Sequence, residues 1–143
     1  MIYTELTKKA MQIAYNAHHG AYDKGGMPYI HHPLHLAEQM STEEETAVAL
    51  LHDVIEDNCV TADELISKGI PACVTEAVVL LTKPLDEDYP DYVRRVAENP
   101  LAKKVKLADL KHNSDISRLS DVTEADLARL EKYKKAIEIL TNE

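Results

Sequence analysis

Apolar residues recur three and four positions apart along most of the chain, the spacing of one buried face of an α-helix. Leu6, Ala10, Ile13, Ala14 and Ala17 mark a first helix over 4–18, which His18, His19 and Gly20 end. The stretch 20–29 holds three of the four glycines and reads as a loop with unusual backbone angles or a close approach to another group. Pro33 opens a second helix that carries Leu34, Leu36, Ala37 and Met40. Ser41 and Glu44 have the spacing of a capping box, so a third helix starts there and runs through Ala47, Leu50, Leu51, Val54 and Ile55 to Asp57. Thr61 and Glu64 repeat the motif for a short fourth helix, which Gly69 terminates, and Pro71 suits the first turn of a fifth. After the connection PLDEDYP come a short helix over 91–98, a longer one from Pro100, and a last one over 124–140 with Leu127, Leu130, Tyr133, Ile137 and Leu140 on one face. The pattern predicts an all-α fold, a compact bundle of seven or eight helices in one domain over 1–143.

Composition narrows the chemistry. Apolar residues make up 45% of the 143, enough for a core, and with no Phe or Trp that core is Leu, Ile, Val, Ala, Met and Tyr. A formal charge of −9 argues against binding nucleic acid through a basic face. It is compatible with a small anionic substrate where a metal or local lysines offset the field. Cys59 and Cys73 suit neither a disulfide framework nor a zinc site and read as reduced core or near-surface residues. No apolar run reaches membrane-spanning length and the first residues read as a helix start, so the cytoplasm is the expected location.

The third helix carries an unusual set of polar residues. His52 and Asp53 interrupt an apolar run, and Glu56 and Asp57 follow. Neighbours on a helix lie about 100° apart, so adjacent His and Asp side chains can both reach one point beyond the helix edge. Glu56 lies four residues from His52 and three from Asp53, on the same side. Crowded carboxylates repel one another unless a proton or cation intervenes, and a mixed His and Asp set suits a borderline divalent ion. An incidental pair, with a satisfied histidine and a surface aspartate, is the competing explanation. Two further segments weigh against it. VKLADLKHN places Asp109 on a packed helix with Asn113 one turn on, and YIHHPLH places His31, His32 and His35 at a loop-to-helix junction. Asp109 could instead be a buried acid paired with Lys106 or Lys111; Lys103, Lys104, Lys106 and Lys111 otherwise read as a solvated helix face.

AHHGAYDKGGMPYIHHP (17–33), ALLHDVIEDN (49–58), LTK (81–83) and VKLADLKHN (105–113), in this order, resemble the HD-domain metal-dependent phosphohydrolases. More closely they resemble the alarmone hydrolase domain of RelA/SpoT-type proteins and the stand-alone small hydrolases, over roughly 3–119. The resemblance implies His32, His52, Asp53 and Asp109 as metal ligands and Mn²⁺ as the metal. It implies Glu56 and Asp57 as the acidic pair that handles the attacking water, and Lys24 and Asn113 as substrate contacts. His18 also matches a family position, while His19, His31 and His35 read as surface or supporting residues. The reaction implied is removal of the 3′-pyrophosphate from ppGpp or pppGpp. The metal then activates water and offsets the repulsion between a polyanionic substrate and an acidic chain, and backbone amides at Gly25 and Gly26 assist. Three positions depart from the pattern: Asp23 where arginine is usual, Leu110 where arginine follows the last aspartate, and Ile116 in place of threonine. Hydrolysis of another nucleotide or small phosphate ester is the alternative, and a silent nucleotide-binding module a third reading. The outer face of the last helix is left open as a surface for a second copy.

Overall fold

Several of the helices begin where a side-chain oxygen can take amides that have no partner inside the helix. In the computed structural model, which describes residues 1–58 and 60–142, Thr4 and Thr7 form a reciprocal capping box at the head of α1 (Glu5–His18). α2 (His31–Ala37) starts two residues before Pro33, which sits within its first turn, where its missing amide is tolerated. α3 (Glu43–Leu51) opens on a capping box made by Thr42 and Glu45, one position later than the expected Ser41 and Glu44. Glu45 still reaches back to the Ser41 amide at 2.9 Å, so both hydroxyl residues contribute to this helix start.

The expected third helix is interrupted. α3 stops at Leu51, and α4 (Val54–Asn58) follows after the two residues His52 and Asp53. The His52 ring donates from Nδ1 to the carbonyl of Ala49 at 2.7 Å, the group an unbroken helix would offer to the Asp53 amide. A side chain thus competes with the helical ladder at this point. The break turns the continuous helix expected from the pattern into two.

α5 (Ala62–Ser67) is capped by Thr61, as its spacing predicts. Gly69 ends it with φ +91°, a conformation that side-chain-bearing residues rarely adopt, while the Ile70 amide returns to Leu65 at 3.0 Å. α6 (Ala72–Leu80) begins after Pro71, and α7 (Tyr89–Val96) carries a proline in its first turn. α8 (Pro100–Asn113) is capped by Asn99, whose side chain accepts from the amides of Leu101 and Ala102. A 3₁₀ turn over Ile116–Arg118 then leads to α9 (Glu124–Thr141).

α3 is the centre of the packing. Thr46 to Leu51 are all buried, and α1, α2, α6 and α8 lie against it. A helix apolar on every side is one enclosed on every side. The buried apolar residues form one cluster around it that includes Leu36, Leu50, Val78, Val93 and Leu110. α9 lies outside, against α7 and α8, and buries fully only Ala136 and Leu140 of its eighteen residues. The fold is all-α among the described residues, and none of its helices is long and apolar enough to cross a membrane. Cys73 is exposed, and Cys59 lies outside the described residues.

Candidate functional site

Three segments distant in sequence meet on one side of α3. His32 comes from α2, His52 from the break after α3, and Asp109 from α8; one donor atom of each lies within 4.8 Å of the others, and all three residues are buried. His32 Nε2 stands 2.8 Å from Asp109 Oδ1, and His52 Nε2 stands 3.5 Å from the same oxygen. Because His52 donates from Nδ1 to Ala49, its Nε2 is the nitrogen turned to this point. Two imidazoles and a carboxylate converging there have the donor chemistry of a borderline divalent cation, so these residues fit a metal ion.

Asp53 stands beside the triad rather than inside it. Its Oδ2 is 3.5 Å from His52 Nε2 and accepts a hydrogen bond from the Tyr29 hydroxyl, while Oδ1 is 3.3 Å from His18 Nε2. His18, the last residue of α1, is buried against Asp53. Tyr29 anchors this carboxylate across 24 residues of sequence.

Charge is balanced from within. Burial opposes ionisation of Asp109, but Lys106, then His32 and His52, hold its carboxyl well below the usual range. Lys106 is not on a solvated face. Its side chain is only 14% exposed, and Nζ donates to Asp109 Oδ2 at 3.0 Å. Burial works against the Lys106 charge, yet Asp109 beside it, with Tyr92 and Tyr89, raises it above the ordinary lysine value. His52 is likewise opposed by burial but lifted to about 9, chiefly by Asp53 and Asp109. Burial lowers His32. Lys104 instead pairs with Glu45 at 2.9 Å, outside the site, and Lys111 is exposed.

His32 lines an adjoining cleft, while His52, Asp53 and Asp109 line a polar cleft of about 330 Å³. Glu56 and Asp57 are exposed on its rim, and Glu56 Oε2 accepts from the backbone amide of Lys83 at 3.0 Å. Lys83, Lys106 and Lys132 supply positive charge to the same cleft, Lys132 from α9. Desolvation, then the neighbouring Asp53 and Glu56, raise Asp57 to about 6. A carboxyl raised on folding adds stability below its unfolded value, about pH 4, and loses it as pH rises through the folded value. Thermal unfolding in chelator is therefore expected to show a fall in midpoint between about pH 4 and pH 6 that Asp57→Asn reduces.

A second cleft of about 280 Å³ adjoins the first and shares Tyr29, Asn113 and Tyr133 with it. Lys24 is exposed on its wall, 3.9 Å from Asp126. Asn113 donates to Asp109 Oδ1 at 3.0 Å and so ties this cleft to the triad. The three departures have distinct fates. Leu110 is fully buried in the core, and Ile116 is half exposed on the cleft wall. Asp23 accepts from the amides of Gly25 and Met27 and pairs with Arg118 at 3.2 Å. The Gly25 and Gly26 amides are thus used within the loop, on Asp23. Glycine at 25 answers to another constraint: a Cβ there would stand 1.9 Å from the Arg118 carbonyl oxygen. Gly25→Ala is expected to cost roughly 1–3 kcal/mol in denaturant unfolding, the usual penalty for overpacking.

Fold and site together define an all-α domain with a buried two-histidine, one-aspartate group beside an exposed acidic pair. No protein-family model matches the chain. It is 28% identical over 144 residues to the guanosine-3′,5′-bis(diphosphate) 3′-pyrophosphohydrolase of Aquifex aeolicus, covering 93% of this chain and 20% of that protein. It is 32% identical over 121 residues to the bifunctional (p)ppGpp synthase/hydrolase SpoT of Escherichia coli, covering 74% of this chain and 17% of that protein. The chain spans 10–20% of the length of the curated relatives it matches. A solved metazoan ortholog of SpoT, described as hydrolysing ppGpp, superposes with a TM-score of 0.77 at 22% identity, covering 99% of this chain and 88% of that one. The chain resembles RelA/SpoT-type proteins in sequence and shares the fold of a SpoT ortholog.

Proposed function

We propose that this chain is a metal-dependent phosphohydrolase of the HD-domain type that removes the 3′-pyrophosphate of ppGpp or pppGpp. The observation that carries the reading is the convergence of His32, His52 and Asp109 on one point beside Glu56 and Asp57. His32, His52 and Asp109 would hold the ion, with Asp53 close enough to join them; the donors suit a borderline divalent ion, and the sequence resemblance implies Mn²⁺. Such an ion lowers the pKa of bound water and polarises a phosphoryl oxygen.

The remaining work falls to the chain's own groups. Glu56, steadied by the Lys83 amide, takes the proton of the attacking water, and Asp57 beside it shares that task. Lys83, Lys106 and Lys132 offset the charge of the phosphate chain in the polar cleft. The adjoining cleft, with Lys24 and Asn113, takes the nucleoside end. The cytoplasm is the location expected for the enzyme.

Asp23 favours a second reading for the substrate alone. Its carboxylate is committed to Arg118 and to loop amides, so the nucleoside end of the cleft is built differently from the pattern the sequence resembles. Hydrolysis of another nucleotide by the same residues is that alternative.

The test is metal analysis together with turnover of ppGpp and a panel of other nucleotides, before and after chelation. Turnover is expected to vanish with chelator, return with Mn²⁺ and release pyrophosphate. Preference for another nucleotide would move the substrate assignment and keep the chemistry. Tight ppGpp binding with no turnover of anything would leave a binding module.

A further inference from the structure

A buried histidine outside the expected ligand set lies against His32. His112, on α8, places Nδ1 2.7 Å from Nδ1 of His32, and both residues are buried. The two rings are within 4° of parallel with centroids 4.9 Å apart, about the N···N distance plus two ring radii. They therefore meet edge to edge, with the N–H of one along the lone pair of the other. His35 lies over the face of His112 at 4.1 Å between centroids, and Arg118 donates to the His112 carbonyl at 2.9 Å, so ring and backbone are both held.

Two nitrogens this close must be one donor and one acceptor. Which is which follows from the other side of His32. Its Nε2 faces Asp109 and His52, so a ligating His32 must keep Nε2 free of hydrogen and carry its proton on Nδ1. That proton points to the Nδ1 lone pair of His112, the two nitrogens 2.7 Å apart. A ligating histidine usually gives its second N–H to a carboxylate, a carbonyl or water, which fixes its tautomer.

We propose that His112 is a positioning residue for His32: it accepts the Nδ1 hydrogen bond that holds the imidazole in the orientation and tautomer that expose Nε2. The inference rests on the reading of His32, His52 and Asp109 as a metal site. Asparagine at 112 can place its amide oxygen near the Nδ1 position and preserve the acceptor, whereas leucine fills the space without one.

The experiment is calorimetric titration of chelator-stripped protein with Mn²⁺, for the wild type, His112→Leu and His112→Asn, with helical circular dichroism as the check on folding. His112→Leu is expected to weaken Mn²⁺ binding about 10–100-fold, and His112→Asn to recover it to within about threefold of the wild type. Should the leucine variant fail to fold, His112→Ala takes its place in the comparison. Leucine or alanine binding Mn²⁺ as tightly as the wild type would overturn the proposal. So would asparagine losing as much as leucine, because ring contact and not the acceptor would then matter. Wild-type protein that binds no divalent ion would sink the metal reading itself and this inference with it, a result distinct from either of the others.

Discussion

Glu56→Gln is expected to lower turnover by about 10²–10⁴-fold while leaving bound metal at the wild-type ratio. The side chain stands on the rim of the polar cleft, outside the buried triad, so its loss removes no member of that group. Glutamine keeps the size and the oxygen that accepts from the Lys83 amide, so the local structure should survive. What it loses is the capacity to take a proton. Steady-state rates with metal content measured on the same sample check the prediction. Unchanged turnover would remove Glu56 from the mechanism, and loss of the metal would make it a structural support for the site. Asp57, exposed and raised to about 6, is the neighbouring base that could leave a residual rate.

Asp109→Ala should have the largest effect on stability. Asp109 accepts from Lys106 and Asn113, lies 2.8 Å from His32 Nε2 and is 6% exposed. Its removal leaves the Lys106 ammonium buried without its partner, at a cost of roughly 3–5 kcal/mol. For a chain of this size that corresponds to a fall in Tm of about 10 °C or more, with loss of metal binding. Adding Lys106→Met to the same chain removes the stranded charge. The double variant is expected to regain most of the stability and none of the metal affinity, measured by thermal unfolding and by titration with Mn²⁺. Equal instability of the single and double variants would show that Lys106 is not what makes Asp109 costly to lose.

Most helices were legible because their signals are local. The turn at Thr61 and the stop at Gly69 need only neighbours a few residues away. The start of α3 was off by one position because adjacent hydroxyls, Ser41 and Thr42, face a run of three glutamates, and spacing alone cannot choose the register. The break at His52 was not legible, since it depends on which nitrogen the ring gives to Ala49. Spacing offers Lys106 or Lys111 as a partner for Asp109, or a solvated face for both; the arrival of Tyr92 and Asp109 around Lys106 decides between them.

The site divides in the same way. His32, His52 and Asp109 could be picked out as chemistry-bearing residues on otherwise apolar segments, and the fold brings them within 4.8 Å. Tyr29, His112 and Arg118 gave no such signal. Their partners Asp53, His32 and Asp23 lie 24, 80 and 95 residues away, and nothing in their own neighbourhoods announces the contacts.

α9 is the least enclosed long helix of the chain, yet its Tyr133 faces both clefts and its Lys132 faces the polar one. A slide of this helix along its axis, or a small tilt against α7 and α8, would reshape the two chambers together. The ends of the cleft are mechanically geared, so one cannot be widened by moving this wall without disturbing the other.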